Sequence, residues 1–216
     1  MQQNITGLDE LLAGYAAGTL AAPAHALVGA HLELADRNRS YVASMEALAG
    51  TGLDEVDPVA FLDRDAALKA IFEGVHPSGD PIEVERSAVS SDLPTSLLSI
   101  AKGPIADLPW KTLLPGVKEC RFGEIDGCNV SAIWVKGGRA MPSHTHHGTE
   151  LTLVLQGGFS DLSGHYVRGD IAFADDSVDH RPIADDGEDC ICFAVTEGRL
   201  QLTGLVGRFI APFVRN

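Results

Sequence analysis

The chain has 216 residues, 45% of them hydrophobic, and its 16 basic and 30 acidic side chains give a formal charge of −14. That length allows one large domain or two modest ones with an ordinary packed core. The longest apolar runs are too short to span a bilayer. The opening MQQNITGLDELL has no basic residue ahead of an apolar core and does not read as a signal peptide, so a cytoplasmic protein is expected. Residues 1–75 hold 4 basic and 11 acidic side chains, half of the net charge. Both halves therefore repel a phosphate backbone, which argues against direct nucleic-acid binding and favours a basic protein partner.

In chain order, residues 5–50 carry a helical period. Ile5, Leu8, Leu11, Leu12 and Tyr15 fall on one stripe, Gly18 suits the end of that helix, and Pro23 suits the first turn of the next. From Leu27 a seam runs through His31, Leu34, Asn38, Tyr41, Met45 and Leu48, steps of four and three sustained for three heptads, and predicts one continuous helix closed by Gly50 and Gly52. A third helix is expected over DPVAFLDRDAALKAIFEGV, with Asp57 as its cap, Pro58 in its first turn and Gly74 at its end. Residues 76–103 are rich in proline and small polar side chains and read as a linker, with a short helix at Ser96–Ala101. After Pro104 the period becomes two. CRFGEI, NVSAIWVK, ELTLVLQG, GHYVRGDIAFA, CICFAVT and LQLTGLVGRFI are short strands punctuated by Gly, Asp and Pro, the pattern of an all-β barrel or sandwich.

The cysteines are Cys120, Cys128, Cys190 and Cys192. In a chain of this length without an export signal they are expected as buried thiols rather than a disulfide framework. A spacing of two puts Cys190 and Cys192 on one face of a strand.

The chemistry concentrates in PSHTHHGTELTLVLQGG. On an extended strand His144 and His146 point the same way, and Glu150 keeps that parity. If His180 returns on a neighbouring strand, three imidazoles and a carboxylate meet inside the barrel, a set suited to Zn²⁺, Fe²⁺, Mn²⁺, Ni²⁺ or Co²⁺. His147 has the opposite parity and is expected to face away. His165 reads as a loop histidine, and His25 and His76 have no constellation around them. No acid/base residue beyond the ligand set is evident from the sequence, which leaves Asp161 and Glu197 open for that role.

The spacing Gly138-x5-His144-x-His146-x3-Glu150-x6-Gly157 looks like the first motif of the cupin superfamily. The second motif is only partly present: Gly164 and Gly169-Asp170 precede His180, but Ala184 stands where an asparagine is usual. Helices followed by such a barrel resemble the ChrR-type anti-sigma factors, and LLAGYAAGTL, AHLELADRNR, ELTLVLQGGF and DCICFAV carry the likeness. The resemblance implies a small N-terminal helical bundle (1–75), a linker (76–103) and a C-terminal cupin, or double-stranded β-helix, barrel (104–216). It also implies one divalent transition metal per chain, zinc before Fe, Mn, Ni or Co, on His144, His146, Glu150 and His180. An extracytoplasmic-function (ECF) sigma factor is the implied partner, with an oxidant or small molecule sensed in the barrel. A homodimer is compatible with the fold.

The helical part departs from that family's zinc pattern. His31 is kept, but Ala35 and Asn38 occupy the thiolate positions and Thr6 stands near the expected first histidine. One imidazole does not make a structural zinc site, so no metal is expected there, and apolar packing by Leu27, Leu34, Tyr41, Met45 and Leu48 is expected to hold the bundle. The competing reading is a metal-dependent cupin enzyme of the dioxygenase kind with a vestigial helical appendage.

Overall fold

The computed structural model describes residues 5–60, 62–73 and 93–203. Gly74, His76, most of the expected linker and the end of the last expected strand lie outside them. Helix α1 spans Ile5–Ala16. It stops where Gly18 enters the left-handed region at φ +66°, with Gly18 N–H donating to Tyr15 O and Thr19 N–H to Gly14 O. These are the paired bonds of a Schellman ending. Helix α2, Ala22–Leu34, has Pro23 in its first turn as expected.

The single long helix expected from Leu27 to Leu48 is two helices. Ala35 is extended at φ −133°, and α3 starts only at Arg39 and runs to Thr51. Arg39 closes the break by donating from its guanidinium to Leu32 O at 2.6 Å and Glu33 O at 3.2 Å, two carbonyls that the end of α2 leaves free. The three-and-four spacing survives the break because both helices turn apolar residues to the same core. Leu27 and Val42 are buried in it, and Leu34 and Tyr41 pack on its margin. Leu48, expected in that core, is exposed. A 3₁₀ turn, Gly52–Glu55, follows. Helix α4 is Arg64–Glu73, shorter than expected, because the cap is Asp63 rather than Asp57: Asp63 Oδ1 accepts from Ala66 N–H at 2.8 Å.

The expected short helix is present as a 3₁₀ turn, Thr95–Leu97, running into α5, Leu98–Ala101. It is packed rather than free, with Leu93, Leu97 and Ala101 buried. Glu33 on α2 receives the amides of Thr95 and Ser96 at 2.7 and 2.8 Å, so one carboxylate caps the start of this turn.

Eleven described strands follow, in the order β1 Lys111–Leu114, β2 Val117–Ile125, β3 Cys128–Val135, β4 His144–His147, β5 Glu150–Gln156, β6 Gly158–Ser160, β7 His165–Val167, β8 Ile171–Ala174, β9 Ile183–Ala184, β10 Cys190–Glu197 and β11 Arg199–Leu202. A six-stranded sheet, β1-β2-β3-β10-β5-β8, faces a three-stranded sheet, β7-β6-β9, and β11-β4 forms a two-stranded ladder. All pairings are antiparallel. The large sheet is apolar on both faces. Phe193, Val195, Leu151, Leu153 and Val130 pack with Leu12, Leu27, Val28 and Leu97 of the helical layer in one cluster. Val154, Ala172, Cys190 and Cys192 point the other way, toward Phe159, Tyr166 and Ala184 inside the barrel. The alternating residues of β10 thus serve two different cores. The helical layer also touches the Asp126-Gly127 hairpin tip, where both residues have positive φ, because Asp126 Oδ2 accepts from Ala22 N–H at 3.0 Å at the start of α2. Among the described residues, no helix is long and apolar enough to cross a membrane.

Candidate metal centre

His144 and His146 share one side of β4, which is held in register by β11 through Leu202↔His144 and Leu200↔His146. Both are buried, whereas His147 between strand and turn is exposed, as its parity predicts. Gly148 then turns the chain at φ +114°, where a Cβ would lie 2.6 Å from Glu197 O. That turn starts β5 with Glu150. His180 arrives from the far side of the barrel and pairs with His144 through two backbone hydrogen bonds of 3.0 Å each. The four side chains expected to meet do so: one donor atom from each of His144, His146, Glu150 and His180 lies within 4.8 Å of every other.

The donor geometry suits a metal ion. His180 Nε2 lies 3.0 Å from His144 Nε2 and 3.3 Å from His146 Nε2. Glu150 Oε2 lies 3.1 Å from His146 Nε2 and 3.7 Å from His180 Nε2. Four ligands at about 2.1 Å around a tetrahedral ion would lie about 3.4 Å from one another. The outer nitrogens fix the tautomers. His144 Nδ1 lies 2.8 Å from Pro142 O, and His180 Nδ1 lies 2.9 Å from Asp161 Oδ2, both partners being acceptors. With the ring protons on those nitrogens, the Nε2 lone pairs of His144 and His180 face each other at 3.0 Å. Such a contact is repulsive unless a cation lies between them.

Burial holds the His144 imidazole below its ordinary range, although the Glu150 charge and the Pro142 carbonyl oppose it. For Glu150 burial works upward, but hydrogen bonding by His146 and the surrounding imidazoles outweigh it and keep the carboxyl low. Asp161, left open by the sequence, is the partner that orients His180, with Oδ2 at 2.9 Å from Nδ1. Its Oδ1 accepts from the amides of Ser163 and Gly164 at 2.8 and 3.1 Å. Those bonds and His180 overcome burial and hold its carboxyl below the usual value. The turn sequence Asp-Leu-Ser-Gly was the only signal for this role. Glu197, likewise left open, is exposed at the end of β10. His165 opens β7 and lies 2.7 Å from Asp185 on the surface, and exposed His25 stacks on Tyr15.

Two spaces adjoin the cluster. An inner cavity of about 70 Å³ reaches His144, Glu150 and His180 and is otherwise mostly apolar, with Ile133, Phe159 and Cys192 on its walls. A wider recess of about 300 Å³ shares His144 and Glu150 with it and is also lined by Glu119, Arg121, Asn129 and Thr196.

The helical layer wires its buried histidine differently. His31 Nδ1 lies 2.6 Å from Gly169 O on the turn between β7 and β8, and its Nε2 lies 2.9 Å from Asn38 Nδ2. One nitrogen donates to the carbonyl and the other accepts from the amide, so neither is left for an ion. Burial keeps this imidazole below its ordinary range, helped by the Arg37 charge and opposed by the Gly169 bond. Alongside, Arg37 forms an ion pair with Asp170. Positions 31, 35 and 38 do not lie on one helix face, as the continuous helix would have had it. Asn38 reaches His31 from the cap of the next helix.

Fold and site together define a helix-fronted cupin with a three-histidine, one-carboxylate cluster at its centre. A family model described as the ChrR cupin-like domain matches residues 101–200. The anti-sigma-E factor ChrR of Cereibacter sphaeroides is 33% identical over 207 residues, 96% of each chain. The crystal structure of Rhodobacter sphaeroides SigE in complex with the anti-sigma ChrR matches with a TM-score of 0.73 and 35% identity, covering 88% of this chain and 96% of that one. The chain belongs to the ChrR family of anti-sigma factors.

Proposed function

We propose that this chain binds an ECF-type sigma factor through its helical part, residues 1–75, and that the cupin barrel holds one divalent metal ion, zinc, on His144, His146, Glu150 and His180. In this reading the barrel governs release of the sigma factor in response to an oxidant or small molecule reaching the cavity. Membership of the anti-sigma family supports the partner class. The observation that carries the reading on this chain is the helix α4 region. No residue of α4 is buried, yet it carries Leu68, Ile71 and Phe72, and the stretch before it exposes Leu53, Val56, Val59 and Leu62. So many large apolar side chains facing water over some twenty residues mark a protein-binding surface. The acidic charge of −14 favours a partner whose own surface is basic enough to contact DNA.

The bound ion would act as a Lewis acid and as a cross-link between β4, β5 and the His180 segment. The chain's own residues supply the rest: Pro142 and Asp161 orient two of the rings, and the apolar cavity walls limit water. The test pairs the full chain with an ECF sigma factor from the same genome in titration calorimetry. Replacing Ile71 and Phe72 together by Asp should weaken binding by about 100-fold or more, since two apolar anchors are lost, while zinc content and helicity stay unchanged. Unaltered affinity in that variant, or no binding by the parent chain, overturns the sigma-binding reading.

A further inference from the structure

Cys190 and Cys192 pack in the inner barrel core but have no part in the metal centre or the helical surface described above. Both are buried, both line the inner cavity, and their sulfurs lie 3.6 Å apart. The other two cysteines, Cys120 and Cys128, lie in the opposite core, under the helical layer.

A disulfide between the pair is opposed by the backbone. Residues two apart on an extended strand have Cα atoms about 6.6 Å apart, at the upper edge of the range that a disulfide spans. Closing the sulfurs from 3.6 Å to about 2.05 Å would also require bending β10. That strand is pinned on both edges: Cys190 and Cys192 oppose Val135 and Ile133 of β3, and Cys192 opposes Val154 of β5. An inserted atom removes the conflict. Two sulfurs bonded to one pyramidal, three-coordinate centre at about 2.3 Å with angles of about 100° lie about 3.5 Å apart, close to the separation observed.

The surroundings select the kind of centre. Ile133, Val135, Ala172 and Ala184 line the cavity with the pair, and the imidazole and carboxylate donors of that cavity are grouped at the candidate metal centre, so a divalent ion seeking four ligands of its own beside the thiols is poorly served. A three-coordinate, neutral centre needs two protein sulfurs and one small exogenous group. We propose that Cys190 and Cys192 form a second binding site in the barrel cavity, a dithiol that chelates a trivalent metalloid hydroxide of the arsenite class. The step is As(OH)₃ plus two thiols giving (RS)₂As–OH plus two waters. Two S–H and two As–O bonds break, two As–S bonds and two O–H bonds form as each thiol proton leaves on a departing hydroxide, and no oxidation state changes. The remaining hydroxyl projects into the cavity that His144, Glu150 and His180 also line.

Sodium arsenite is the probe, because it seeks thiols and ignores imidazole and carboxylate donors. Zinc-loaded full-length protein is treated with arsenite, freed of excess by gel filtration, and analysed for arsenic, zinc and free thiols. One arsenic per chain, two fewer free thiols and unchanged zinc are expected, with the adduct mapping by tandem mass spectrometry to the peptide that holds both residues. Cys190→Ser and Cys192→Ser should each lower retained arsenic by roughly tenfold or more, since a lone thiol forfeits chelation, while a Cys120→Ser, Cys128→Ser double variant retains it. No arsenic on the parent protein, an adduct mapping elsewhere, or full retention in Cys190→Ser overturns the proposal. The mapping on the parent chain decides the matter even if a serine variant fails to fold. None of these readouts depends on sigma binding.

Discussion

The helical layer and the barrel each bury histidine, and they use it in opposite ways. In the barrel, two of the three rings spend Nδ1 on an outer acceptor, Pro142 O for His144 and Asp161 for His180, which leaves their Nε2 lone pairs facing each other at 3.0 Å beside Glu150. In the helical layer, His31 spends both nitrogens, one on Gly169 O and one on Asn38. If the barrel holds the proposed ion, the difference teaches that burial alone does not make an imidazole a ligand, and that what decides is whether the outer nitrogen is anchored while the inner one is left facing other donors.

The sharpest way to break that contrast is to exchange the losses. Ala at His180 or Glu150 should abolish stable zinc binding, read by elemental analysis, whereas His31→Ala should leave the zinc content of the purified chain where it was. If His31→Ala lost the metal, the two regions would not be distinct in this way. Next in size, His31→Ala should cost about 3 kcal/mol of folding stability in urea denaturation, because it strands a buried carbonyl and an amide and opens a void. Asp161→Ala should weaken zinc binding about 10–100-fold without removing it, the expected effect of losing an orienting partner, as measured by competition with a chelator. Glu33→Ala, which uncaps the Thr95–Leu97 turn without touching either histidine site, should cost about 1 kcal/mol.

Acid sharpens the same comparison. Burial keeps the His31 pKa in the folded chain below that of the unfolded chain. The unfolded form therefore takes up a proton near its ordinary pKa of about 6.5 that the folded form refuses. The stability this group supports is full above that pH and is lost as the pH falls through the window down to its folded value. Urea midpoints measured downward from pH 7.5 should show a smaller decline in His31→Gln than in the parent chain; equal slopes would mean that His31 does not titrate differently on folding.

Much of the barrel centre was legible in the sequence because its spacing maps directly onto strand geometry. His144 and His146 had to share a face, Glu150 kept the parity across a glycine turn, and the strand period of two runs through β5 and β10. The helical layer was legible only in part. Gly18 and Pro23 marked a helix end and a helix start correctly, since both act through local backbone preference. The break at Ala35 was not visible, because apolar spacing records which residues face the core and is silent when a turn preserves that facing. Asp63 as the cap of α4 and the packing of Leu93, Leu97 and Ala101 were missed for a related reason: each depends on which of several plausible local partners the chain meets.

The amino-acid sequence by itself determined the helix-then-barrel order, the parity shared by His144, His146 and Glu150 and the absence of thiolates at positions 35 and 38. Those are properties of residue identity and short-range periodicity. Only the tertiary structure decided that His180 joins those three side chains, that Asp161 orients His180 and that His31 is tied to Gly169 across 138 positions of chain. It likewise decided that Cys190 and Cys192 open onto the same cavity as the imidazoles. Each of those contacts joins groups with no periodic relation in sequence. They exist because sheet closure and the docking of α2 on its outer face bring particular atoms within hydrogen-bonding or packing distance.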